Sequence, residues 1–161
     1  MARRAGLSGV DVSERFWETK RLEEMNAQEW ESLCDGCAKC CLLKLEDEES
    51  GDIAYTRLHC RLLDGDRCLC KDYENRTAYV PDCVTLTPQK ISDIKWMPRS
   101  CAYRRIHEGR GLADWHHLVC GSRERIHEEG RSIRGQTVSE DTVLEEDQID
   151  WIVDWDGNPP D

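Results

Sequence analysis

The chain has 161 residues and a net charge of -11, with 34% of its side chains charged, a length that suits one domain with a tail. Leu, Ile, Val and Phe together number only 31, which puts the apolar content near the border of disorder, while six Trp and ten Cys move it back toward a folded domain. No apolar run has signal-peptide length or the ~18 residues of a membrane span. Residues 140–161 hold nine acids and no Lys or Arg, and the other 139 residues hold 22 basic and 24 acidic side chains. The charge balance predicts no nucleic-acid partner, and the missing apolar runs predict no membrane partner and the cytosol as compartment, where thiols stay reduced.

In chain order, residues 1–10 read as disordered. Asp11 and Glu14 have capping-box spacing, which predicts a helix from Val12 or Ser13 to about Glu24. Asn26 and Glu29 repeat the signal, with Met25 and Trp30 at the positions of a hydrophobic staple, so a second helix over about 27–33 should deliver Cys34 at its C-terminal end. Glu46 to Asp52 is an acidic loop, and Ile53 to Leu58 reads as a strand. Asp64-Gly65 predicts a tight turn that folds 58–63 onto 66–70 as a hairpin, with Cys68 and Cys70 on one face. Thr87-Pro88 opens a predicted helix over 88–96. Ser100 caps another over 101–108, stopped by Gly109, and places Cys101 at a helix N-terminus that favours a thiolate. Ser122 and Gly130 bracket one more.

The chemistry lies in the cysteines. Cys34, Cys37, Cys40 and Cys41 fall within eight residues, followed by Cys60, Cys68, Cys70, Cys83, Cys101 and Cys120. C-x2-C suits two sulfurs on one tetrahedral metal, because the intervening turn aims backbone N–H groups at them, and Gly36 supports such a turn. Cys40 extends the run toward a ferredoxin pattern, which then fails because Cys41 is adjacent. Neighbouring side chains normally diverge, so Cys41 is expected to face a second site. The thiol count suits two four-ligand sites; one 4Fe–4S cluster with spare thiols and a Cys40–Cys41 disulfide switch are the alternatives. A secreted disulfide framework has no support beyond the even Cys count. His59, His116 and His117 are candidate ligands, although a histidine is more often surface or hydrogen-bonded core. No motif marks a catalytic or phosphate-binding site, and Gly109-Arg110-Gly111 reads as a turn.

The joint pattern of C-x2-C-x2-C-C, Cys60, Cys68-x-Cys70 with Tyr73 and Arg76, Pro81-Asp82-Cys83, and Ser100-Cys101-Ala102-Tyr103-Arg104 resembles the YcgN-like branch of the YkgJ-type cysteine-cluster proteins. The stretch from Phe16 to Cys41, Trp115-His116 and Ile133-Arg134 are similar too, so the resemblance covers roughly 16–155. It implies a bacterial domain that chelates zinc or iron. Cys120 departs from the pattern and is expected to be a bystander. The expected metal ligands are therefore Cys34, Cys37, Cys40, Cys41, Cys60, Cys68, Cys70, Cys83 and Cys101.

The expected fold is a small, irregular α+β domain of short helices and a β-hairpin organised around those cysteines. It divides into a disordered 1–10, a metal-binding 11–139 and an acidic tail 140–161, with Trp151, Ile152 and Trp155 as anchors for a protein partner. The leading function is a metal-binding protein holding zinc, iron or a 4Fe–4S cluster. The alternatives are a redox enzyme or subunit using such a cluster, and an interaction adaptor with structural zinc.

Overall fold

The computed structural model describes residues 15–94 and 96–155. In chain order it forms α1 (Phe16–Thr19), α2 (Ala27–Ser32), β1 (Leu42–Glu46), β2 (Ile53–His59), β3 (Leu63–Asp64), β4 (Leu69–Cys70), α3 (Arg76–Tyr79), α4 (Ala102–His107), α5 (His117–Cys120), α6 (Arg125–Glu128) and β5 (Val138–Ser139). Short 3-10 turns occur at Leu22–Glu24, Lys39–Cys41, Ile91–Asp93, Glu140–Thr142 and Glu145–Trp151. This is the small α+β architecture expected, and most of its elements are a single turn long.

Local chemistry explains several boundaries. Asn26 accepts from the Glu29 amide at 2.8 Å while the Glu29 carboxylate accepts from the Asn26 amide at 3.0 Å, so the capping box forms and starts α2 where expected. The predicted helix through Glu24 does not persist: its first residues lie outside the described ones, and Lys20 is extended, leaving α1 and a 3-10 turn. The predicted helix at 88–96 is also absent. Ile91 and Ile94 are β-branched, and Ser92 and Asp93 favour turns, so consecutive turns bury Ile91 and Met97 instead. Cys101 caps α4, and Gly109, at φ 73°, follows its end as predicted. The helix between Ser122 and Gly130 is α6.

β1, which the sequence reading missed, pairs antiparallel with β2 through a bulge between Leu42 and Lys44. There the fully buried Thr56 hydroxyl donates to Leu43 O at 2.8 Å and accepts from Leu58 N at 3.1 Å, which satisfies groups that the interrupted ladder leaves open. β5 adds to β2 in parallel, Leu58 opposite Val138. β3 and β4 make a separate, much shorter hairpin than predicted. The Asp64 carboxylate accepts the amides of Asp66 and Arg67, both at 3.0 Å, and Cys68 N bonds Asp64 O at 2.8 Å, so the turn lengthens and swallows Cys68 at φ 55°. Cys68 is therefore in a turn, Cys60 follows β2 rather than lying in a strand, and the expected shared face of Cys68 and Cys70 does not form.

Two apolar clusters hold the chain. One gathers Phe16, Trp17, Leu22, Leu33, Ile91, Met97 and Tyr103; the other, beside the sheet, gathers Ala38, Leu42, Tyr55, Leu63, Cys68 and Ile133. The C-terminal segment lies against β2: Ile152 bridges Thr56, Val153 N donates to Tyr55 O at 2.9 Å, and Trp155 packs on the second cluster.

Candidate metal centre

The loop 34–41 runs from Leu33 in one cluster to Ala38 and Leu42 in the other. Its shape is set residue by residue. The Asp35 carboxylate accepts from Cys37 N at 3.0 Å, Gly36 takes φ 79°, and Ala38 takes φ 61° before the turn Lys39–Cys41. An added Cβ on Gly36 would meet nothing within 4 Å, so glycine is required there for its φ rather than for space. Leu62 N lies 3.5 Å from Cys60 Sγ, and the amides of Gly36 and Lys39 favour the thiolates of Cys34 and Cys37, although burial outweighs them.

Several of the expected ligands lie near enough to act on one another in pairs. Cys34 and Cys37 both feel the charge of Cys40, and Cys37 also feels Cys101. The buried Lys39 ammonium reaches Ser100 Oγ at 3.5 Å and so fastens the loop beside Cys101. On the other side, Cys60 N donates to Cys41 O at 2.8 Å, and Cys60 feels the charges of Cys83 and Cys70. Cys68 sits in the second apolar cluster with its thiol 3.8 Å from Gly65 O. Cys120 is exposed, its thiol near Ser122 O and Trp115 O.

Without a bound cation, most of these thiols hold their protons. Burial, with Asp35 and Cys40 adding negative charge, pushes Cys34 up to about 12 although part of its surface meets solvent. Burial likewise raises Cys37, Cys60 and Cys101. For Cys101 this outweighs the amides of Arg104 and Tyr103, so the thiolate expected at the start of α4 is not favoured by the fold alone. Cys40 is the exception. The neighbouring Cys41 side chain, and then the Lys44 ammonium, bring it down to about 7 against the effect of burial, and Cys41 is correspondingly raised.

Lys44 was not visible as a site residue in the sequence. Its ammonium donates to Leu42 O at 2.7 Å and Cys40 O at 3.2 Å and lies 4.3 Å from the centre of the Trp96 ring. The histidines have structural partners. His59 Nδ1 is 2.8 Å from Thr137 Oγ1. His116 is buried, with Nε2 2.8 Å from Leu33 O and Nδ1 accepting from Leu118 N at 3.0 Å. His117 stacks on it at 4.4 Å, and its ring nitrogens are buried with no hydrogen-bond partner among the described residues.

The donor chemistry fits a soft metal: all ten cysteines are free thiols, and none is consumed in a disulfide. Among the described residues, no three His, Cys, Asp or Glu side chains already converge on one point. Binding would thus draw ligands together and be linked to ordering of the loops that carry them. Also among the described residues, no helix is long and apolar enough to cross a membrane.

Comparison with known proteins agrees with this donor set. Residues 33–102 match the family model CxxCxxCC, a domain proposed to chelate zinc or iron. A UPF0260 protein of Allorhizobium ampelinum is 59% identical over 144 residues, covering 89% of this chain and 91% of that protein. UPF0260 proteins of a Caulobacter species and of Parvibaculum lavamentivorans are 53% and 54% identical, over 90% and 94% of this chain and 96% and 99% of theirs. No solved structure matches. With identity of this order over nearly the whole of both chains, the protein belongs to the UPF0260 family.

Proposed function

We propose that this protein holds zinc or iron through Cys34, Cys37, Cys40, Cys41, Cys60, Cys68, Cys70, Cys83 and Cys101, and that it works in the cytosol of a bacterium. The observation that carries the reading is the seam of free thiols between two small apolar clusters, with backbone amides that favour the thiolates of Cys34 and Cys37 and Leu62 N close to Cys60 Sγ. Residues 11–139 form the metal-holding part, of the YcgN-like kind within the YkgJ-type proteins. A bound metal would supply a thiolate cross-link, or a redox centre if it is a 4Fe–4S cluster. The chain's own residues provide the rest. Asp35 shapes the loop, Lys44 places a positive charge beside Cys40 and Cys41, and Tyr103 and His116 fix the flanking helices. The all-sulfur donor set favours iron slightly over zinc.

A second reading, an adaptor that binds a partner through residues 140–161, is supported by Leu144, Ile149 and Ile152, which are 66%, 64% and 45% exposed within an acidic stretch. A basic partner with an apolar patch fits that composition. Deleting 144–161 tests it: loss of a co-purifying partner with metal content unchanged supports the adaptor, and unchanged partners sink it.

The metal reading is tested by elemental analysis and a visible spectrum on protein purified without oxygen. Zinc without visible absorbance supports a structural centre, and iron with matching sulfide and a broad brown absorbance supports a cluster. Protein carrying neither, and unable to take up either, would overturn the reading.

A further inference from the structure

We infer that the thiols form two separate four-cysteine sites that meet at the Cys40–Cys41 peptide bond, Cys34, Cys37, Cys40 and Cys101 in one and Cys41, Cys60, Cys70 and Cys83 in the other, with Cys68 outside both. Each would take a soft divalent ion of the zinc or ferrous kind. The inference rests on the metal-binding reading above and narrows its ligand set by removing Cys68.

The first group is assembled by contacts between segments far apart in sequence. α2 delivers Cys34, and Cys101 is the N-cap of α4, the helix whose Tyr103 hydroxyl donates to Trp30 O in α2 at 2.8 Å. Lys39 and Ser100 tie the middle of the loop to the residue preceding Cys101. The Asp35 carboxylate accepts from Cys37 N at 3.0 Å and so shapes the loop that carries Cys34, Cys37 and Cys40.

The second group is assembled by the sheet and the small hairpin. Cys60 N bonds Cys41 O, Leu63 N bonds Cys60 O at 2.8 Å, and Leu63 pairs with Cys70 across β3 and β4. The Arg61 guanidinium donates to Tyr79 O, and Cys83 N bonds Val80 O at 2.9 Å, which holds the turn bearing Cys83 against the same place.

Cys68 differs in kind. It is 5% exposed, packs among Tyr55, Leu63 and Ile133, and its thiol faces Gly65 O and Ser132. Eight thiolates on two divalent ions leave a charge of about -4, and Lys44 stands beside the junction between the groups.

The test is cobalt(II) titration of the reduced full chain, read by sulfur-to-cobalt charge-transfer absorbance. The wild type should take up about two equivalents. Cys101→Ser and Cys83→Ser should each keep about half of the absorbance, the double variant none, and Cys68→Ala all of it. The grouping is overturned if either single variant removes the whole signal, or if Cys68→Ala removes as much as Cys83→Ser. A measurement on unmutated protein guards against variants that fail to fold. During slow removal of cobalt by a chelator, alkylation mapped by mass spectrometry should open the thiols as these two quartets, and opening of all eight together would overturn it. Absence of any cobalt–sulfur absorbance in the wild type would instead sink the metal-binding reading itself.

Discussion

The Tyr103 hydroxyl donates to the Trp30 carbonyl across 2.8 Å, with the two rings 4.6 Å apart. This joins α4, which carries Cys101 at its start, to α2, which ends just before Cys34. Tyr103→Phe keeps the ring contact and removes one of the two donors to that carbonyl, leaving Leu33 N at 3.2 Å. It should lower stability by about 1–2 kcal/mol in urea unfolding and weaken metal retention through the spacing of Cys34 and Cys101.

Cys37→Ser should empty its own site, leaving about half of the metal, and lower the melting temperature, because loss of a ligand is linked to loss of folding. Thiolate ligation of a structural metal contributes about 10–16 kcal/mol of apparent binding energy in peptide models, against roughly 5–15 kcal/mol of total stability for a domain. A variant that melts like the wild type with full metal content refutes Cys37 as a ligand.

Lys44→Met keeps an unbranched apolar stem but removes the ammonium that lies over the Trp96 and Tyr55 rings beside Cys40 and Cys41. Thiolates would lose their nearest positive neighbour. Metal affinity, measured by competition with a chromophoric chelator, should fall about tenfold, equivalent to about 1.4 kcal/mol, with far-ultraviolet circular dichroism unchanged.

Acid should weaken the fold through the histidine pair. Burial holds His116 below its ordinary value and brings His117 down to about 4. The neutral ring of His116 is the form that both donates to Leu33 O and accepts from Leu118 N, so protonation breaks the second bond. A base whose folded value is depressed binds more protons when unfolded. Its contribution is complete above about pH 7 and declines as pH falls through 6.5 toward the folded value. Proton NMR should show the His117 ring neutral at about pH 6, where an unperturbed histidine is already mostly charged, and the His116 ring titrating below its ordinary value.

Trp155→Ala should cost about 2 kcal/mol, less than the 3–5 of a fully buried Trp, because the side chain is only half-buried against the second cluster. Thermal melting would read this as a fall of several degrees for a domain of this size.

The legible parts of the sequence were those with local causes. The Asn26–Glu29 box, the stop at Gly109 and the amides that favour the Cys34 and Cys37 thiolates depend on residues a few positions apart. What escaped was tertiary. β1 escaped because Leu42–Glu46 lacks clean alternation and gains its place from pairing with β2. The Asp64 turn was misread because two amides compete for its carboxylate, which favours a longer loop than Asp-Gly alone suggests. Cys68 was grouped with Cys70 on strand periodicity, and its positive φ ended that periodicity. Lys44 became a site residue only when the bulge and Trp96 enclosed it.

The parallel pairing of β5 with β2 sets an order of assembly. Arg61 N reaches Glu140 Oε1 across 79 residues of chain, whereas every thiol proposed as a ligand has been synthesised by residue 101. At roughly 5–20 residues per second, a ribosome delivers β5 about 2–7 s after Cys101. For that interval a nascent chain has all of its proposed ligand thiols while one edge of β2 is still open, a bare strand edge available to other chains.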